Sequence, residues 1–201
     1  FFMSENHQNQ KEKIVTIATG GLCLALAEVL SIIPLYKMPQ GGTVTPASML
    51  PIILFALCFG PGWGIAIAFI FSLLQLYEGY LMVPIQVILD YTLAFSVLGL
   101  AGFFGPTRQE RKGITNLLDR LKMISLPKMV LATILVIAAR LTCHVVSGVV
   151  FFAEYAPAGQ NVWIYSFLYN GSFLGVEAVI TVFVLTAIVA ATKKSKKMPI
   201  L

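Results

Sequence analysis

The stretch RLTCHVVSGVVFFAEYAPAGQNVWIYSFLYNG, residues 140–171, decides how this chain is read. It sets Arg140, His144 and Asn170 inside segments otherwise apolar enough to span a bilayer. Dehydrating such groups at membrane depth is costly, so by default they mark a binding site or a proton path.

Composition agrees with that reading. The 201 residues are 58% hydrophobic and 11% charged, against roughly 25% charged in soluble domains, and the mean hydropathy is +0.85. This identifies an integral membrane protein. At roughly 20 apolar residues per span, the length suits one bundle of about six helices. A net charge of +5 would suit nucleic acid, but nearly all the basic residues flank apolar spans. That placement points to membrane topology, and no nucleic-acid partner is expected. Cys23, Cys58 and Cys143 fall in apolar runs without paired spacing and read as buried small hydrophobes, not as disulfides or metal ligands. No metal or cofactor is expected.

Six apolar segments can be drawn, at 14–35, 47–59, 62–77, 84–104, 128–151 and 162–191. The second is short and bracketed by Pro46, Pro51, Gly60 and Pro61, so it is expected to be tilted or partly irregular, which a membrane allows only where protein covers the backbone. The expected fold is an all-α six-transmembrane-helix bundle. Residues 1–13 form a polar N-terminal tail, 14–192 a single membrane domain and 193–201 a basic tail. Phe1 and Phe2 precede Met3, the more natural start, and residues 4–13 carry no signal-peptide pattern and are expected to fray.

Lysine and arginine set the orientation. Lys11 and Lys13 precede the first span, Arg108, Arg111, Lys112, Arg120, Lys122 and Lys128 lie between or at the ends of the fourth and fifth, and Lys193, Lys194, Lys196 and Lys197 follow the sixth. The other ends hold only Lys37, with Arg140 inside a span. By the positive-inside rule both termini are cytoplasmic, in a multi-pass protein of the cell membrane. Residues 36–45, 78–83 and 153–161 are then the outer connections. The long connection 107–126 has apolar residues at helical spacing in ITNLLDRLKMI and is expected to form a short interfacial helix or to bind a cytoplasmic partner.

Counting from the outer helix ends at 1.5 Å per residue, Asp90 lies about 9 Å deep, His144 and Glu28 about 10 Å and Asn170 about 12 Å. Four helices thus place a polar group at one level, which describes a pocket in the outer half of the bundle. His144 alone could be interhelical glue. Asp90 is harder to explain so, because a buried carboxylate needs a cation or several donors. Arg140 sits deeper, one turn before His144 on the same face, and Glu177 lies about 6 Å deeper still, so the two can pair. Aromatics crowd the same outer level: Tyr80, Tyr91, Phe151, Phe152, Tyr155, Trp163, Tyr165 and Tyr169. An interfacial belt accounts for some, Tyr155 among them. An anion among π-faces suits a flat organic cation. No GxxxxGK[ST], HExxH or Gly-x-Ser-x-Gly occurs, so the chain lacks the common nucleotide and hydrolase motifs.

The segments MPQGGTVTPASMLPI (38–52), PIQVILDYTLAFSVLGLAGFFG (84–105) and RLTCHVVSGVVFFAEYAPAG with WIYSFLYNG (140–171) resemble the thiamine-specific substrate-binding (S) component of energy-coupling factor vitamin transporters. The likeness covers nearly the whole chain from about residue 14. It implies a six-helix fold that captures thiamine from outside, with a coupling membrane protein and two ATPase subunits supplied by other chains. Carried over by motif position, it implicates Tyr80, Asp90, Tyr91, His144, Phe152, Tyr165 and Asn170. The chain departs from the family pattern in having Asp90 where Glu is usual and Phe152 where Trp is usual. The family's first helix docks on the coupling protein through small residues four apart, here Gly21 and Ala25. Two alternatives are an S component for another vitamin or a pyrimidine-type ligand, and a small intramembrane transferase or hydrolase using His144 and Asp90. A purely structural subunit would bind no ligand at all.

Overall fold

The computed structural model describes residues 2–77 and 79–195. Phe1, Glu78 and the basic pair Lys196 and Lys197 lie outside them. Helix α1 spans Phe2–Ile32. The run 4–13, expected to fray, is helical and continuous with the apolar span. The cause is propagation: each added residue gains one backbone bond on an existing helix, and Glu12 anchors that turn by accepting the Gly113 N–H. Prolines at 34, 39 and 46 then end helical structure, and an antiparallel hairpin forms from β1 (Tyr36–Lys37) and β2 (Thr43–Val44), with Tyr36 opposite Val44. This hairpin, two residues per strand, sits within a fold that is otherwise all-helical, as expected.

Helix α2 (Leu50–Phe59) is apolar on every side and buried along nearly its whole length, as such a helix must be to lie at the centre of a bundle. Gly60 adopts φ 90°, a conformation open to glycine, and turns the chain directly into Pro61, the first residue of α3 (Pro61–Leu74). Helix α4 (Pro84–Phe104) changes pitch along its length, with a π turn over Ile88–Leu93 and a 3-10 stretch over Val97–Phe104.

The long polar connection forms two short helices, α5 (Arg108–Arg111) and α6 (Leu117–Met123). Thr107 and Glu110 make a capping box on α5, and Asn116 caps α6. α6 is pinned to the core: Arg120 is 5% exposed, donates to the Ile114 and Cys58 carbonyls and lies 4.5 Å over the Phe59 ring. It thus places a cation at the C-terminal end of α2, where the helix dipole favours one. Burial lowers the Arg120 pKa from its ordinary value, and Glu12 opposes that shift. Helices α7 (Leu126–Phe151) and α8 (Val162–Lys194) complete the bundle.

Among the described residues four helices, at Gln10–Ile32, Pro84–Phe104, Leu126–Phe151 and Val162–Lys194, are long and apolar enough to cross a membrane, whereas α2 and α3 are apolar but shorter. Apolar side chains such as Val179 and Phe183 stand 71% and 73% exposed on α8, the surface a bilayer would cover. Cys23, Cys58 and Cys143 are free thiols.

Candidate functional site

A cavity of about 290 Å³ opens at the hairpin end of the bundle, between the hairpin, α1, α4, α7 and α8. α7 lines it with Arg140, His144 and Gly148, spaced one turn apart, and α8 does so with Tyr165, Tyr169 and Phe173 on one ridge and Asn170 and Glu177 beside it. The two helices approach closely at Gly148, where a Cβ would stand 2.2 Å from Ser166 Oγ. Only a glycine lets α8 carry Asn170 so near α7.

Asp90 sits on the π turn of α4, a local widening often found at functional positions. Its Oδ2 accepts from Ser147 Oγ at 2.6 Å and from Gln86 Nε2 at 2.8 Å, and its Oδ1 lies 3.0 Å from His144 Nδ1. Gln86 also donates to the Tyr80 carbonyl at 3.1 Å, and Tyr91 Oη accepts the Tyr80 N–H at 2.7 Å, which fixes the segment leading into α4. Asn170 Nδ2 donates to the Ser166 carbonyl at 2.9 Å and reaches the His144 carbonyl at 3.4 Å. Asp90 and the His144 side chain are thus bonded to each other, and Asn170 reaches the same turn of α7 through the His144 carbonyl.

Deeper in the cavity, Arg140 Nη1 lies 3.8 Å from Glu177 Oε2, the pair expected from helical spacing. The guanidinium stacks 4.0 Å over the Phe95 ring and donates from Nε to His144 Nε2 at 3.3 Å. Glu177 Oε1 accepts the Thr45 N–H at 2.9 Å and also the Thr45 hydroxyl. That turn contains Ala47 at φ 67°, a strained value for a residue with a Cβ. At the other end of the hairpin Tyr169 Oη accepts N–H groups from Gln40 at 3.1 Å and Gly42 at 3.4 Å. The loop 36–45 is thus held against α8 at two points.

Rings form the walls. Tyr80 lies 6.1 Å from Phe152 and Phe152 6.2 Å from Tyr155, while Tyr165, Tyr169 and Phe173 follow one another at 6.1 and 6.3 Å. Tyr155, expected in an interfacial belt, instead lines the cavity beside Phe152. The reason is the 3-10 turn Ala153–Tyr155, which folds the chain back over the end of α7. Its pKa is raised from the ordinary value, first by neighbouring Tyr80. Trp163 is 57% exposed and suits the belt.

Of the residues singled out from sequence, Tyr80, Asp90, Tyr91, His144, Phe152, Tyr165 and Asn170 all line the cavity. Glu28 does not: its carboxylate accepts from Gln75 Nε2 at 3.0 Å, and Gln75 lines the cavity in front of it. Gln86, Ser147 and Thr45 were not anticipated, and Tyr169 was placed only among the aromatics of the outer level. Gln86 and Ser147 stand one turn from Asp90 and His144, so spacing alone could have found them. Gly21 and Ala25 lie on the exposed face of α1, away from the cavity. Among the described residues no cluster of three or more His, Cys, Asp or Glu side chains could hold a metal ion. The arrangement is a deep carboxylate with polar partners beneath aromatic walls, which can hold a flat cation.

Comparison with known proteins gives concordant results. The family model described as "Thiamine transporter protein" matches residues 17–197. The thiamine transporter ThiT of Bacillus subtilis (strain 168) is 33% identical over 181 residues, which cover 88% of this chain and 91% of that protein. ThiT of Lacticaseibacillus paracasei is 27% identical, covering 87% of each. A solved structure of ThiT from Listeria monocytogenes superposes with a TM-score of 0.73 over 90% of this chain and 97% of that one, at 24% identity, and so shares the fold.

Proposed function

Because the chain belongs to the thiamine transporter protein family, we propose that it is a thiamine-binding membrane subunit that captures the vitamin from outside the cell, without chemical change. The observation that carries this reading is the state of Asp90. Its carboxylate faces a ring-walled cavity, and among the described residues no lysine or arginine bonds to it. A buried carboxylate in that position favours a cation of its own shape class. Thiamine offers a positive thiazolium ring joined to an aminopyrimidine. Asp90 meets its charge and the rings of Tyr80, Tyr91, Phe152 and Tyr165 stack on or edge its faces. His144 and Asn170 serve the aminopyrimidine: the Asn170 amide nitrogen is engaged by protein carbonyls, which leaves its oxygen for a ligand N–H. Glu28 acts from behind Gln75.

The six apolar helices are read as six spans, with α2 and α3 shortened and covered by neighbours, and with both termini inside. The basic residues of α5, α6 and the end of α8 support that orientation. Transport against a gradient then needs a coupling membrane protein and two ATPases, since the chain carries no nucleotide motif. Gly21 and Ala25 form the docking face. A Cβ at Gly21 would meet nothing within 4 Å, so the face is free to receive a partner helix.

Isothermal calorimetry on the purified chain tests the reading. Saturable heat is expected with thiamine at micromolar concentration and none with a neutral pyrimidine. Absence of heat with thiamine would sink it.

A further inference from the structure

We infer that Arg140 is a positioning residue of the ligand site: its Nε–H, 3.3 Å from His144 Nε2, holds the imidazole as the neutral Nδ1–H tautomer, so that His144 serves Asp90 as a hydrogen-bond donor and not as a countercharge. This rests on the reading that Asp90 faces the ligand's positive ring.

The argument is one of donors and acceptors. A guanidinium has five N–H groups and accepts nothing. The imidazole nitrogen facing Arg140 Nε must therefore present a lone pair. A neutral histidine has one donor and one acceptor nitrogen, so its proton is on Nδ1, the atom 3.0 Å from Asp90 Oδ1. An imidazolium is excluded by the same contact, because an Nε2–H would point at another N–H on a like charge.

Arg140 is built to hold that pose. Its side chain is 8% exposed, its Cζ lies 4.0 Å over the Phe95 ring, and Glu177 faces Nη1 while Thr45 holds Glu177 in turn. The guanidinium cannot swing away without leaving Phe95, Glu177 and His144. Its effect on Asp90 runs against simple charge counting. With Arg140 present, the partners of the Asp90 carboxylate are Gln86, Ser147 and a neutral His144, and its negative charge stays available. With Arg140 gone, the imidazole is free to take a second proton beside a carboxylate 3.0 Å away, and the resulting internal ion pair competes with the ligand's cation. A buried arginine thereby strengthens the binding of a positively charged ligand.

The test reads the tautomer directly in ligand-free protein. With His7 replaced by Gln, His144 is the one remaining histidine, and ¹⁵N-histidine labelling reports both ring nitrogens near neutral pH. One protonated Nδ1 and one bare Nε2 are expected in the parent. Arg140→Met should convert the pattern to imidazolium, since Asp90 keeps a proton on Nδ1 in either case, and weaken thiamine by about tenfold, the scale of one charge-assisted bond. Arg140→Gln, which keeps a neutral N–H donor, should restore the Nδ1–H pattern and bring affinity back to within about threefold. Imidazolium or Nε2–H in the parent overturns the inference, as does an unchanged Nδ1–H pattern in Arg140→Met. An imidazolium or Nε2–H pattern in the parent overturns it whether or not the methionine variant folds. A parent with the expected tautomer that binds no thiamine would leave the inference standing and refute the proposed ligand instead.

Discussion

Asp90→Asn keeps the side chain's volume and removes the carboxylate charge beneath the aromatic walls. In the wild type Oδ2 takes donors from Ser147 at 2.6 Å and Gln86 at 2.8 Å, and Oδ1 faces His144 Nδ1 at 3.0 Å. An amide oxygen can replace Oδ2, but the amide nitrogen then confronts the His144 proton. Two effects follow. Loss of a charge-assisted bond to the ligand costs about 1.5–3 kcal/mol, or roughly tenfold to a hundredfold in Kd. The opposed donors cost the ligand-free fold roughly 1–3 kcal/mol, lowering Tm by about 2–4 °C per kcal/mol. Asp90→Glu keeps the charge and advances the carboxylate by about 1.5 Å, past Ser147 and Gln86 and toward the cavity, so its affinity should stay within about tenfold of wild type. Calorimetric affinity and ligand-free Tm are measured on each variant. Unchanged affinity with a lowered Tm in Asp90→Asn would refute the reasoning and move Asp90 from the binding site into the scaffold.

Gly148→Ala places a methyl 2.2 Å from Ser166 Oγ and 3.4 Å from Asn170 Nδ2. Overpacking of this kind costs about 1–3 kcal/mol, and both Tm and thiamine affinity should fall; an unchanged Tm would mean that α7 and α8 separate freely. Tyr169→Phe removes the acceptor shared by the Gln40 and Gly42 N–H groups. At roughly 1 kcal/mol for such a bond, thiamine should dissociate several-fold faster in stopped-flow fluorescence, and an unaltered rate would uncouple the hairpin from ligand retention. Gly21→Leu adds bulk where α1 is open, so binding should be spared while uptake by the assembled complex is lost. Equal loss of both in a well-folded sample would show the docking face to be wrongly assigned.

Class, segment positions and the level of the polar residues were all legible in the chain itself, because each depends on local composition and on the fixed rise of a helix. Asp90, His144 and Asn170 could be set at one height by counting, and Arg140 and Glu177 could be paired the same way. Counting constrains height along a helix but not its rotation about its axis, and Glu28 shows the difference: it shares the level yet faces Gln75 instead of the cavity. The π turn under Asp90, the pairing of Tyr36 with Val44 and the return of Tyr155 onto Phe152 were likewise invisible. Each depends on how neighbouring elements pack, not on the residues of one segment. So does the contact that matters most to the chemistry. The i, i+4 spacing puts Arg140 and His144 on one face, but Phe95 from α4 and Glu177 from α8 aim the guanidinium at the imidazole, and only the assembled bundle supplies them.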